Sequence, residues 1–97
     1  MPLAVEVHTL AADEAEAGER WYRERNATAA ARFRRELERA VELIAERPEA
    51  GPPYIGSTRR FLLRRFPFFV VYRVYGRHVQ VVAVAHARRR PGYWVQR

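Results

Sequence analysis

His86, Tyr93 and the triplet Arg88-Arg89-Arg90 carry the clearest chemical capacity in the chain. Imidazole is the side chain whose ordinary titration lies nearest neutrality, so His86, closing a valine-rich run, is the candidate acid or base, with Tyr93 as its partner. The neighbouring guanidinium groups stay charged at any accessible pH. They bind phosphate or carboxylate in a fork and cannot act as bases. Such a tip suits an anionic partner, either a phosphate backbone or an acidic protein face. His86 can equally be read as a residue that hydrogen-bonds the end of its strand. His8 and His78 sit at strand ends without a charged cluster, and no function attaches to them.

The charge around this tip is unevenly distributed. Residues 1–49 hold eight arginines and all eleven acids, a net of −3, whereas residues 50–97 hold ten arginines and no acid, a net of +10. A basic half of this kind speeds encounter with an anionic surface and loses grip as salt rises. No lysine occurs anywhere, which codon bias explains most simply. The absence of cysteine removes disulfides, thiolate nucleophiles and cysteine-based zinc sites, and the three histidines lack metal spacing. Neither a metal nor a cofactor is expected. The N-terminal residues lack the pattern of a signal peptide, and no run approaches a membrane span, so a cytoplasmic protein without a membrane partner is the expectation.

Ninety-seven residues make one domain, 1–97, with a single modest core. Leu3 to His8 alternates as a short strand with Leu3, Val5 and Val7 on one face. Thr9 offers an N-cap, with Asp13, Glu14 and Glu16 in the first turns of a helix reaching about Arg25. Its inward face is expected at Ala11, Ala15, Gly18, Trp21 and Tyr22. Asn26 ends that helix or caps the next, whose apolar stripe is Ala30, Phe33, Leu37, Ala40, Val41 and Ile44. Arg32 with Glu36 and Arg34 with Glu38 form opposite-charge pairs on its solvated face. Pro48 stops the helix, and a turn-rich loop follows to Thr58. Arg60 to Arg65 predicts a strand, Phe66-Pro67 a corner, and Phe68 to Tyr75 a central strand. Gly76-Arg77 turns the chain into His78 to His86, with Val79, Val81, Ala83 and Ala85 on one face. The predicted class is α+β, in the order β-α-α-β-β-β, a helix hairpin on a mostly antiparallel four-stranded sheet.

That order, the break at residues 48–51, the run Arg64-Arg65-Phe66-Pro67-Phe68-Phe69-Val70-Val71-Tyr72-Arg73-Val74 and the ending Val82-Ala83-Val84-Ala85-His86-Ala87-Arg88-Arg89-Arg90-Pro91 resemble the ParE/RelE superfamily of toxins from type II toxin–antitoxin pairs. The resemblance covers essentially the whole chain. It implies a growth-arresting toxin neutralised by a cognate antitoxin. ParE-like members poison DNA gyrase by binding, whereas RelE-like members cut messenger RNA on the ribosome.

Cleavage through a 2′-hydroxyl requires a base, an acid for the leaving oxygen and cations around the phosphate. In the RelE-like pattern Arg60, Arg89 and Tyr93 match positions that carry such groups, with His86 nearby. Leu62 and Phe69 occupy places where that pattern has further basic residues, and the Phe66-Pro67 corner and the Phe68-Phe69 pair are similar to ParE-like chains. The reading is therefore a ParE-like toxin acting by protein binding, with gyrase the implied target. Its contact surface for target or antitoxin is expected at Arg59, Arg60, Arg64, Arg65, Arg88, Arg89 and Arg90. An apolar antitoxin segment is expected to meet the helix hairpin near Trp21, Tyr22 and Phe33. The alternatives are a ribosome-dependent endoribonuclease using His86, Arg89, Tyr93 and Arg60, and a toxin-like fold that serves only as a basic binding module.

Overall fold

A computed structural model describes residues 1–97. The order is β1 (Ala4–Val7), α1 (Thr9–Arg23), α2 (Ala27–Glu46), β2 (Arg59–Leu62), β3 (Phe68–Tyr75) and β4 (His78–His86), in keeping with the β-α-α-β-β-β expectation. The sheet runs β1-β4-β3-β2, with β1 parallel to β4 and the other pairs antiparallel. The two helices pack as a hairpin on one face.

The N-cap of α1 is His8 and not Thr9. The His8 N–H donates to Val81 O at 2.9 Å as the last rung of the β1–β4 pairing, and its Nδ1 accepts from Leu10 N at 3.1 Å. The chain therefore leaves the sheet and starts the helix at one residue. Asp13, Glu14 and Glu16 fall beyond the first turn, so the helix dipole does not explain them. The helix stops at Arg23, because Arg25 N and Asn26 N both turn back to Tyr22 O. Asn26 is extended, and its Oδ1 accepts from Thr28 N and Ala29 N, which makes it the N-cap of α2.

The apolar stripe of α2 buries as its spacing predicts: Ala30, Phe33, Ala40 and Ile44 lie in the core. Trp21 does not face inward. It is 52% exposed, and Arg25 lies 3.8 Å from its ring centroid. Phe33 is 0% exposed and sits among Tyr22, Phe66 and Phe68 at centroid separations of 5.4, 5.3 and 4.9 Å. Of the three aromatics expected to meet a partner segment, only Trp21 is exposed on the hairpin, while Tyr22 and Phe33 are committed to the core.

The sheet is covered on both faces. Val70, Tyr72, Val79, Val81 and Val84 face the helices, whereas Phe69, Val71, Val82, Ala83 and Ala85 pack beneath Trp94. A register shift between Val71 and Tyr72 makes Tyr72 pair with Val81 while Val71 pairs with Ala83. This bulge inserts Val82 and exchanges the faces of all that follow, so Val84 turns to the helices and Ala83 and Ala85 turn away. Uninterrupted alternation predicts the reverse.

Strand β2 ends at Leu62 and not at Arg65, because the Glu36 carboxylate takes the N–H groups of Arg64 and Arg65. The expected Arg32–Glu36 pair is consequently not formed, while Arg34–Glu38 is, at 3.5 Å. The outer edge of β2 is partly covered by the preceding loop, with Arg60 N donating to Pro52 O at 3.1 Å. Gly51 permits that approach, since a Cβ there would stand 2.5 Å from Arg60 O. Tyr72 anchors the same loop: its buried hydroxyl donates to Pro48 O at 2.7 Å and accepts from Gly51 N at 2.9 Å. Tyr72→Phe should lower stability by about 1–3 kcal/mol in urea unfolding, since it leaves a buried N–H and a carbonyl without a partner. A change under about 0.5 kcal/mol would show that the loop is held otherwise.

Candidate functional site

Strand β4 ends at His86, which pairs with Phe68 at the start of β3, so the ending His86–Arg90 and the Phe66-Pro67 corner share one end of the sheet. Ala87 N donates to Pro67 O at 2.8 Å and ties the two turns together. The exposed Arg64, Arg65, Arg88 and Arg90 project from this end. None of the four takes part in an ion pair within the chain.

The other arginines expected on that surface are engaged internally. Arg59 donates to Gly51 O at 2.7 Å. Arg60 lies over the Tyr54 ring at 4.5 Å and near Phe69 at 5.3 Å, on the sheet face away from the helices. Arg89 donates to Glu14 at 3.0 Å and covers the Tyr93 ring at 3.7 Å.

The candidate acid–base pair is not assembled. His86 packs edge-on against Phe68, a neighbour of the helix-side core, and its Nδ1 accepts from Arg88 N at 3.0 Å. Tyr93 packs instead with the core on the opposite face. Its hydroxyl is buried beside the Glu14 carboxylate without a well-formed hydrogen bond. Burial first, and that carboxylate second, push Tyr93 far above the usual phenol range. A phenol so held is a poor proton donor and no base at neutral pH. Leu62 and Phe69 stand opposite each other on β2 and β3, so the places of the two further cations are apolar.

Glu14 is the residue that holds this region together, and its spacing in the sequence gave no signal of it. Strand β1 pairs with β4 only as far as Val81, which leaves the outer edge of β4 unpaired beyond it. There Val84 N donates to Glu14 Oε1 at 3.0 Å, and Arg97 donates to Val82 O at 3.0 Å. Arg97 also grips Glu14 through two parallel bonds of 2.9 Å, with the two side chains 10% and 12% exposed. Burial alone would raise the Glu14 pKa, but the bonds from Arg97 and Val84 outweigh it and hold the carboxyl below its ordinary value.

No group of histidine and acidic side chains has the geometry to hold a metal ion, and no helix is long and apolar enough to cross a membrane.

Comparison with known proteins places the chain in a family. Residues 5–91 match the model of the ParE toxin of type II toxin–antitoxin systems, parDE. Over 62 residues the chain is 39% identical to the toxin candidate Y4kP of Sinorhizobium fredii (strain NBRC 101917 / NGR234), covering 63% of this chain and 64% of that protein. The chain thus spans less than two thirds of the length of this relative. Among solved structures, the chromosomal ParDE toxin–antitoxin system from P. aeruginosa superposes with a TM-score of 0.79 at 20% identity, over 89% of this chain and 97% of that one. That likeness shows the fold, two helices on a four-stranded mixed sheet. With the family model spanning nearly all of the sequence, the chain belongs to the ParE toxin family of type II toxin–antitoxin systems.

Proposed function

We propose that this toxin arrests growth by binding its target, with DNA gyrase the inferred target, and that a cognate antitoxin neutralises it. The observation that carries the reading is the state of Tyr93 and His86. One has its hydroxyl buried and its ionisation suppressed, the other is occupied as a strand-end acceptor, and they pack on opposite faces of the sheet. What remains available is a contact surface of Arg64, Arg65, Arg88 and Arg90 at the corner end of the sheet. Clustered guanidiniums steer association with an acidic protein face and grip carboxylates in a fork. A target bound to DNA accords with a cytoplasmic site of action.

The test pairs two variants in a reconstituted supercoiling assay and in an induced-growth assay. His86→Ala with Tyr93→Phe should leave both inhibitions intact, whereas Arg88→Glu with Arg90→Glu should weaken gyrase inhibition by about tenfold at low salt. Loss of toxicity in a folded His86→Ala/Tyr93→Phe protein would overturn the reading. So would cleavage of ribosome-bound message with no effect on gyrase.

A further inference from the structure

A groove of about 600 Å³ runs between α2 and the end of β2. One wall is Arg32, Arg35 and Arg39, spaced by three and four residues and therefore on one face of α2, about 10 Å from first to last. Arg64 and Arg65 form the opposite wall. The floor is apolar, with Phe61 and Leu43 half-buried on it.

Nothing within the chain neutralises these walls. The seven ion pairs all involve other arginines. The groove's one acid, Glu36, already accepts from the backbone N–H groups of Arg64 and Arg65. Five guanidiniums thus face a shared apolar trough with no carboxylate free to meet them.

We infer that this groove seats a segment of a partner protein bearing an apolar stripe flanked on both sides by carboxylates. Charge complementarity fixes the flanks, and the apolar floor of Phe61 and Leu43 fixes the centre. A helix laid in a groove presents this pattern through residues three and four apart. Nucleic acid fits less well: a phosphate backbone would leave the apolar floor wet, and the groove's one aromatic ring, Phe61, is half-buried and packed against the core rather than open for a base to stack on. The groove shares Arg64 and Arg65 with the corner surface, so a segment seated here would also cover part of the target contact.

The probe is a labelled helix-forming peptide of about a dozen residues, a leucine stripe between two rows of glutamate, titrated by fluorescence anisotropy against the full chain. Arg35→Gln with Arg39→Gln, and separately Arg64→Gln with Arg65→Gln, should each weaken binding by about fivefold or more at low salt. The charge-matched Arg20→Gln with Arg77→Gln, away from the groove, should not. Circular dichroism verifies that each variant is folded, and the two wall variants test the same groove independently. The inference is overturned if either folded wall variant binds like the parent, if replacing the peptide's leucines with alanine has no effect, or if an oligothymidylate of equal charge displaces the peptide. No gyrase enters this measurement, so its failure is separable from failure of the proposed target.

Discussion

Glu14→Gln should lower stability by about 3 kcal/mol at neutral pH, measured by urea unfolding, because it leaves a nearly buried arginine without its counter-charge. Arg97 is 10% exposed and has the Glu14 carboxylate as its only anionic partner; glutamine keeps one acceptor oxygen in place of two and supplies no charge. The same change weakens the cap on the β4 edge at Val84. A control of identical chemistry is at hand. Glu16 pairs with Arg20 at 3.8 Å, with both side chains more than half exposed, and Glu16→Gln should stay within about 0.5 kcal/mol of the parent. The pH dependence carries the same signature. The folded pKa of Glu14 lies below its ordinary value, so its stabilisation is complete above that ordinary value and fades as pH falls through the folded one. Glu14→Gln should flatten this acid-side loss. Equal stabilities for the two variants would show that the Glu14–Arg97 clasp does not hold the fold.

Trp94→Ala should remove about 3–5 kcal/mol. Trp94 is 1% exposed and lies at 5.6 Å from Tyr54, 6.3 Å from Phe69 and 5.1 Å from Tyr93, so it roofs the sheet face that the helices leave open. Removal opens a large void over Val82, Ala83 and Ala85, which short side chains cannot fill. Its indole N–H has no partner in the fold, so little hydrogen bonding is lost and the effect should be nearly all packing. Trp94→Phe, which restores most of the ring, should recover at least half of the loss. If Trp94→Ala unfolds at the parent's urea midpoint, this roof contributes little and the second core is not one.

Local order was legible where a single element decides it. The spacing of Ala30, Phe33, Ala40 and Ile44 marks both the α2 helix and its buried face, and the Phe66-Pro67 corner and the Gly76-Arg77 turn follow from backbone chemistry at two residues each. What depends on partners far along the chain was not legible. The bulge at Val82 arises from pairing between two strands, and nothing within β4 announces it. Glu36 looks like half of an i,i+4 pair with Arg32 until the end of β2 arrives to claim its carboxylate. Glu14 and Arg97 stand 83 positions apart. The basic end of the chain was visible as composition, but composition cannot tell the exposed Arg88 and Arg90 from Arg60 and Arg89, which stack on rings of the same domain. Trp21 departs from expectation because Tyr22, one residue on, takes the inward place beside Phe33, Phe66 and Phe68 and leaves Trp21 at the edge of the face.

The parallel pairing of β1 with β4 and the grip of Glu14 on Arg97 join the two ends of the sequence. Contacts so distant in sequence slow the final folding step, since the long loop must close before they form. During synthesis the first strand and helix emerge long before their partners exist. A nascent chain therefore holds β1 unpaired and, even after β4 appears, an open edge at Val82 and Val84, until Arg97 has been added. Closure of the domain thereby waits for Arg97, and any partner that recognises the closed form meets only chains extended at least that far.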